Sequence, residues 1–221
     1  RIERVAPQDQ ALLRLAAVAG RQVEPAILPA LAPHLHIPGW LTACAEVAVL
    51  EIQDGRWHFT HDRLREAVLG SVSAEERVAL HRQVALAIET TYEDLTDQAG
   101  ALAYHWSKAG NHDKECRYSI LAGRQATQRF SNEEAISYFR RALDLSQASR
   151  ISIMYELARV LTAIGDWPAA SDVLRQALDL TPDSVDYLDR AAQVGFWKKH
   201  DRILVPADRV VSLRRLADHR P

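Results

Sequence analysis

The sequence contains little cysteine and methionine, and its positive and negative charges nearly balance. Its 221 residues include two cysteines, Cys44 and Cys116, and one methionine, Met154. Two cysteines that lie far apart in helical patterns predict reduced core residues of a cytoplasmic protein rather than a disulfide framework. The formal net charge of −2 excludes the overall attraction to nucleic acid or to an anionic membrane that a strongly basic chain has.

The motifs that mark common enzyme classes are missing from the sequence as well. It contains no Gly-x-x-x-x-Gly-Lys phosphate loop, no Gly-x-Gly-x-x-Gly motif and no serine in a nucleophile elbow. No apolar run approaches the ~18 residues that a membrane helix needs. We therefore expect no complete catalytic machinery and no membrane partner. Because the chain begins at Arg1 and its single methionine is Met154, we also expect it to be part of a longer polypeptide.

The histidines give only weak indications of a metal site. His34 and His36 lie in a loop bracketed by prolines, with no cysteine or acidic ligand nearby in sequence, so a solvated loop is the prediction there. His105 and His112 flank a helix end, and we expect them to be surface or capping residues.

Residues 9–70 combine three short helical patterns with a hairpin and a further helix. Asp54-Gly55 joins two stretches of alternating apolar residues, which predicts a two-residue β-hairpin turn. Three helices followed by such a hairpin are the order of a winged-helix domain, which we place at residues 1–72. The predicted helices are Gln10–Ala19, a second that begins at Pro25, a third from Pro38 to about Val47, and Asp62–Leu69.

From residue 73 onward the pattern is helix after helix, so the predicted fold is all-α with one small β-hairpin. Ser73 and Glu76 have the spacing of a capping box, and so do Ser131 and Glu134. The predicted helices of this region, placed at residues 73–221, begin at Ser73, about Thr96, about His112 and Ser131, and continue at about 150–163, 167–180 and 183–197.

An internal repeat lies within this helical region. Ala142-Leu-Asp-Leu145 recurs as Ala177-Leu-Asp-Leu180, an offset of 35 residues, and the same offset relates Ala135 to Ala170 and Phe139 to Leu174. A period in the mid-thirties with two helices per unit is typical of a helical solenoid and resembles the tetratricopeptide repeat. In the second unit Gly165 is the expected turn and Pro182 the expected end. A third, atypical unit is predicted to begin near Leu188 and to resume at Pro206.

The segment Trp57-His-Phe-Thr-His-Asp-Arg-Leu-Arg-Glu-Ala67 and the later Leu80-His-Arg-Gln-Val-Ala85 resemble the part of STAND-class signal-transduction ATPases that follows the ATPase core. His105-Trp106, Ala109-Gly110 and Ser131-Asn132 fit the same pattern, and the resemblance spans about residues 9–182. The class includes large bacterial transcription activators and ATPase modules fused to cyclases or kinases. Its members carry a winged helix after the nucleotide-binding domain and helical repeats after the winged helix.

This resemblance implies a nucleotide-sensing role for His61 and Asp62. In the class, a His-Asp pair of the winged helix can contact the β-phosphate of bound ADP and hold the inactive state, and His61-Asp62 matches that pair by position. A ring at a helix N-terminus lies where backbone N–H groups favour an anion, and we expect Asp62 to cap the helix. ATP or ADP would be the cofactor of the full-length protein only. The alternative is that His61 merely caps or packs.

A winged helix also raises the possibility of DNA binding. The predicted third helix, Pro38–Ala48, contains no Lys, Arg, Asn or Gln, and it includes Glu46. The hairpin offers Arg56 beside Glu51 and Asp54. Because such a surface cannot neutralise several phosphates, we do not expect DNA as a partner.

Three functions remain open from the sequence. The first is a non-catalytic regulatory fragment of a STAND-type ATPase, whose partners would be its own upstream ATPase domain and a protein or peptide effector on the repeats. The second is a plain tetratricopeptide scaffold, and the third is a winged-helix transcription regulator, which the third helix disfavours.

Overall fold

The computed structural model describes residues 2–146 and 148–180, and within these ranges the chain is helical apart from one small sheet, as the sequence predicts. Short 3-10 turns at Ile2–Arg4, Pro7–Asp9 and Pro25–Ile27 precede or join the helices. The helices, in chain order, are α1 (Gln10–Ala19), α2 (Leu28–Leu31), α3 (Ile37–Glu46), α4 (Asp62–Gly70), α5 (Ala74–Thr91), α6 (Ala99–Lys108), α7 (His112–Gln128), α8 (Asn132–Leu145), α9 (Arg150–Ala163) and α10 (Trp167–Leu180).

The sheet has three short antiparallel strands, β1 (Gln22–Val23), β2 (Leu50–Gln53) and β3 (Arg56–Phe59), in the order β1-β3-β2. β2 and β3 form the predicted hairpin. Its turn residues Asp54 and Gly55 have φ angles of 52° and 75°, the two positive values that an Asp-Gly turn adopts most easily. β1 is an additional strand that the sequence did not predict, and it pairs Gln22 with His58.

Buried apolar residues hold the first helices against the sheet. Leu12, Leu13 and Leu15 of α1 are buried, and so are Leu50 and Phe59 of the hairpin. α1 also packs against α4 and α5. The hairpin therefore shares the core of the N-terminal helices, and this fixes where α4 begins.

Both cysteines are buried and neither is in a disulfide, as predicted. Cys44 lies on α3, where burial, with a smaller contribution from the nearby Asp9, raises the pKa of its thiol to about 12. Trp40 on the same helix donates its indole N–H to the Asp9 carbonyl at 3.3 Å. These contacts join α3 to the residues just before α1.

Of the two predicted capping boxes, the first forms in part and the second does not form. Ser73 Oγ accepts the Glu76 N–H at 3.1 Å, but the Glu76 carboxylate contacts Arg14 on α1 at 3.0 Å instead of completing the box. Ser131 makes no capping bond. Its N–H instead binds Ala126 O at 2.9 Å and closes the end of α7. The backbone of Ser131 has a ψ of 69°, whereas the capping Ser73 has a ψ of 163°.

The predicted repeat packs as its 35-residue offset requires. The chain divides into two compact units, one up to Tyr118 and one from Ser119 onward, and α8, α9 and α10 pack in sequence within the second. The division of the sequence at residues 72 and 73 stays a prediction.

The six positions predicted to line the repeats are all buried: Ala135, Phe139, Ala142, Ala170, Leu174 and Ala177. The closing Pro182 and the third unit near Leu188 and Pro206 lie outside the described residues.

Gly123 shows why the first helix of a unit needs a small residue. A methyl group built on Gly123 would lie 2.7 Å from Cε1 of Phe139, whose ring is fully buried. The residues 35 positions later are Ala158 and Leu174. The unit with the larger buried ring therefore has glycine, and the unit with the smaller side chain has alanine.

We expect Gly123→Ala to destabilise the chain by about 1–3 kcal/mol, because a buried ring cannot move away from an added methyl group without strain. Chemical denaturation would measure the change. Gly70→Ala is the matched control: no atom lies within 4 Å of the added methyl, and alanine is favoured over glycine in a helix by up to about 1 kcal/mol.

A double-mutant cycle tests the cause. Phe139→Leu in the Gly123→Ala background reproduces the Ala158–Leu174 pairing of the next repeat. We therefore expect the double variant to lose less stability than the sum of the losses in the two single variants. Strict additivity would contradict the proposed contact.

Candidate functional site

His61 lies at the junction between the hairpin and α4, as predicted. It is the residue before the first turn of α4 and has an extended backbone, with φ −144° and ψ 139°. Its side chain is exposed and makes no capping hydrogen bond, while its carbonyl accepts the Leu64 N–H at 3.0 Å. Thr60 holds the junction, because its hydroxyl donates to the Ala48 carbonyl at 3.0 Å. The ring of His61 is therefore directed at solvent beside the positive end of a helix.

Asp62 does not cap α4, which corrects the prediction for this residue. The cap position belongs to His61, and Asp62 is the first residue of the helix. A side chain in the first turn is already past the cap position, and here a cation is within reach. The Asp62 carboxylate lies 3.2 Å from Nε of Arg21, and both side chains are more than half exposed.

Arg21 is the residue at this junction that the sequence did not indicate. It precedes β1, and its carbonyl accepts the Phe59 N–H at 3.2 Å, so the pairing of β1 with β3 brings it to the start of α4. A two-residue strand is too short to produce an alternating pattern. We refer to Arg21, His61 and Asp62 as the junction cluster. Arg21 and His61 can both donate to an anion, and Arg21 offsets the charge of Asp62.

The exposed face of α3 carries no cation. Its exposed residues are Pro38, Gly39, Thr42, Ala43 and Glu46. The side chain of His36 caps α3, because its Nδ1 accepts the Gly39 N–H at 3.1 Å. Within residues 2–146 and 148–180, no three His, Cys, Asp or Glu side chains are placed to hold a metal ion together.

His105 is a core residue, so the prediction that it lies at the surface or at a cap is wrong. It is 2% exposed on α6, and His81 on α5 is 5% exposed; their Nδ1 atoms are 2.9 Å apart. Burial, together with nearby positive charge for His81 and with His81 itself for His105, lowers the pKa of each ring from 6.5 to about 4. At neutral pH the two rings therefore share one hydrogen bond as uncharged imidazoles. His112 is exposed, as predicted, and lies 3.4 Å from Glu115.

Glu89 on α5 lies at the centre of a second polar cluster. Its carboxylate accepts hydrogen bonds from Trp106 Nε1 at 3.0 Å, Tyr118 Oη at 2.8 Å and Lys114 Nζ at 2.7 Å. Lys114 also lies over the Trp106 ring, 4.1 Å from its centre. Burial alone would raise the pKa of Glu89, but the hydrogen bonds and the Lys114 charge outweigh it and lower the pKa. This cluster joins α5, α6 and the start of α7.

Comparisons with known proteins identify the repeat. Residues 153–186 match the tetratricopeptide repeat family. The chain is also 30% identical over 162 residues to an uncharacterized protein of Rhizobium meliloti (strain 1021), a match that covers 69% of this chain and 16% of that protein. The chain thus spans about a sixth of the length of this curated relative. Among the described residues, no helix is both long and apolar enough to cross a membrane.

The chain therefore contains a tetratricopeptide-repeat segment built from α9 and α10, of a kind that generally mediates protein interactions. The chain begins with the three helices α1, α2 and α3 and a three-stranded antiparallel sheet, and the junction cluster lies at the start of α4, which follows them.

Proposed function

We propose that this chain is a non-catalytic regulatory part of a cytoplasmic STAND-type ATPase, in which a winged helix senses the bound nucleotide and the tetratricopeptide repeats bind a protein. The observation that carries the proposal is the exposed His61 beside the N-terminus of α4. The order of α1, β1, α2, α3 and the β2–β3 hairpin, followed by helical repeats, also supports it.

The junction cluster would act by donating hydrogen bonds to an anionic group presented by an upstream ATPase domain. The His61 ring and the Arg21 guanidinium are both exposed, and the start of α4 adds its positive end. A β-phosphate of ADP held there would gain charge-assisted hydrogen bonds. Loss of ADP would then free the junction cluster and release the ATPase domain from its inactive arrangement.

DNA binding is the weaker alternative. The exposed face of α3, the helix that would enter a major groove, offers small side chains and Glu46. Arg56 of the hairpin lies 3.5 Å from the Gln22 side chain, so it is partly engaged. One partly engaged cation cannot provide the several phosphate contacts that DNA affinity requires.

We expect His61→Ala to speed ADP release from the full-length protein about tenfold to a hundredfold, because one charge-assisted hydrogen bond to a phosphate contributes roughly 1.5–3 kcal/mol. The stability of the 221-residue chain should stay nearly unchanged, because the ring is exposed. The measurements are ADP release by stopped flow and thermal melting of the chain.

His34→Ala is the matched control, because His34 is an exposed histidine away from the junction cluster. Arg21→Gln should act in the same direction as His61→Ala. A destabilised chain with unaltered ADP release would refute nucleotide sensing and leave a repeat scaffold as the function.

A further inference from the structure

Two arginines occupy the same position in the two repeats. Arg124 on α7 and Arg159 on α9 are 35 residues apart, the offset that relates the buried positions. Both contact Glu156: Arg124 Nε lies 3.2 Å from Oε1, and Arg159 Nη1 lies 3.1 Å from Oε2. The two guanidinium groups therefore flank a single carboxylate. We refer to these three residues as the arginine pair site.

The arginine pair site keeps one positive charge that Glu156 does not neutralise. The Arg124 and Arg159 side chains remain 50% and 61% exposed, whereas that of Glu156 is 22% exposed. A guanidinium carries five N–H donors in a planar fork that suits a carboxylate. Each contact to Glu156 joins one guanidinium nitrogen to one oxygen, so both arginines keep accessible donors.

The charges of the helices around the arginine pair site favour an acidic ligand there. Along α9, and along α7 from Ser119 to Gln128, Glu156 is the single acidic residue of the sequence. The exposed acidic residues of the other two helices lie on α8 and α10: Glu133, Glu134, Asp144, Asp172 and Asp179. Apart from Glu156, α9 and the part of α7 from Ser119 to Gln128, which carry Arg159 and Arg124, therefore have no negative charge.

We propose that the arginine pair site binds an acidic segment of a partner protein, with one partner carboxylate held between Arg124 and Arg159 beside Glu156. The inference rests on the proposed function in that the repeats bind a protein, and it adds the chemistry of that partner. Glu156 holds the two cations together in the free protein, but its charge opposes the incoming carboxylate. This opposition gives the site a property that a structural ion pair lacks: removing the Glu156 charge should strengthen binding.

The probe for this site is a fluorescein-labelled deca-glutamate peptide with an amidated C-terminus, titrated into the 221-residue chain and followed by anisotropy. We expect salt-sensitive binding, and no binding of the matching deca-glutamine or deca-lysine peptides. Arg124→Gln and Arg159→Gln should each weaken binding about tenfold, and Glu156→Gln should strengthen it severalfold.

The control variant is Arg175→Gln, which removes an exposed arginine paired with Asp172 on α10 and should leave binding unchanged. Melting temperatures would verify that all variants are folded. Absence of deca-glutamate binding, an equal loss in Arg175→Gln, or weaker binding in Glu156→Gln would overturn the proposal. ADP release from the His61→Ala full-length protein is independent of these titrations, so a failure here leaves the proposed nucleotide sensing intact.

Discussion

Ala170→Arg is expected to unfold the repeat formed by α9 and α10. Ala170 is fully buried on α10, which packs against α9. An arginine there would add a long side chain where there is no space, and it would bury a charge without a partner. Overpacking costs about 1–3 kcal/mol, and an unpaired buried charge adds several kcal/mol more, which together exceed half the stability of many domains.

Thermal melting and far-ultraviolet circular dichroism would show the expected loss of helix in the repeat formed by α9 and α10. Ala163→Arg is the matched control, because Ala163 is exposed in the last turn of α9. A cation near a helix C-terminus is neutral to slightly stabilising. If Ala170→Arg melts at the same temperature as the Ala163→Arg variant, the packing described for the repeat is wrong.

Acidification is expected to destabilise the unit that contains the His81–His105 pair. The pKa of each ring is lowered from 6.5 to about 4 in the folded chain, so between these values the unfolded chain binds more protons than the folded chain. Stability is then complete above about pH 6.5 and declines as the pH falls toward 4. At about 1.4 kcal/mol for each pKa unit, one such histidine accounts for roughly 3 kcal/mol.

Positive groups reinforce this effect around His81. Lys108, Arg77 and Arg65 each lower its pKa, and the Tyr104 ring packs edge-on against it, with ring centres 5.6 Å apart. Near His105 the backbone of Ala19 acts in the opposite direction. Protonation of His81 would therefore place a charge in a buried environment that is already positive.

The double variant His81→Asn, His105→Asn tests this expectation. An asparagine amide can take the place of the Nδ1 atoms that meet at 2.9 Å, but it does not titrate. Urea denaturation at neutral pH and at about pH 4.5 should show a smaller loss of stability in this variant than in the original chain. His34→Asn, at an exposed position, should keep the full pH dependence, and an unchanged dependence in the double variant would exclude the pair as its source.

The sequence predicted the helices more accurately than their polar contacts. Apolar spacing placed Gln10–Ala19, and the 35-residue offset identified the buried positions of the repeats, because periodicity reports directly which face is buried. Polar contacts depend on which element lies opposite, and this is not encoded locally. Glu76 illustrates the difference: its spacing from Ser73 suits a capping box, yet its carboxylate contacts Arg14 on another helix.

The junction cluster was predictable in part for the same reason. The Asp-Gly turn located the hairpin, and the hairpin located His61. Arg21 depends on a strand of two residues and His105 on a partner 24 residues earlier, so neither follows from a local pattern. The expected role of Asp62 failed because α4 begins one residue earlier than a capping aspartate requires.

The buried thiols give this protein a built-in reporter of its own opening. With a pKa of about 12, Cys44 at neutral pH is a thiolate only roughly once in a hundred thousand, against a few per cent for an exposed cysteine. An alkylating reagent therefore reacts with it mainly in molecules that have transiently opened. Cys116 is buried in the same compact unit. The rate at which the native chain is alkylated thus measures how often the N-terminal unit, rather than the repeats, exposes its interior.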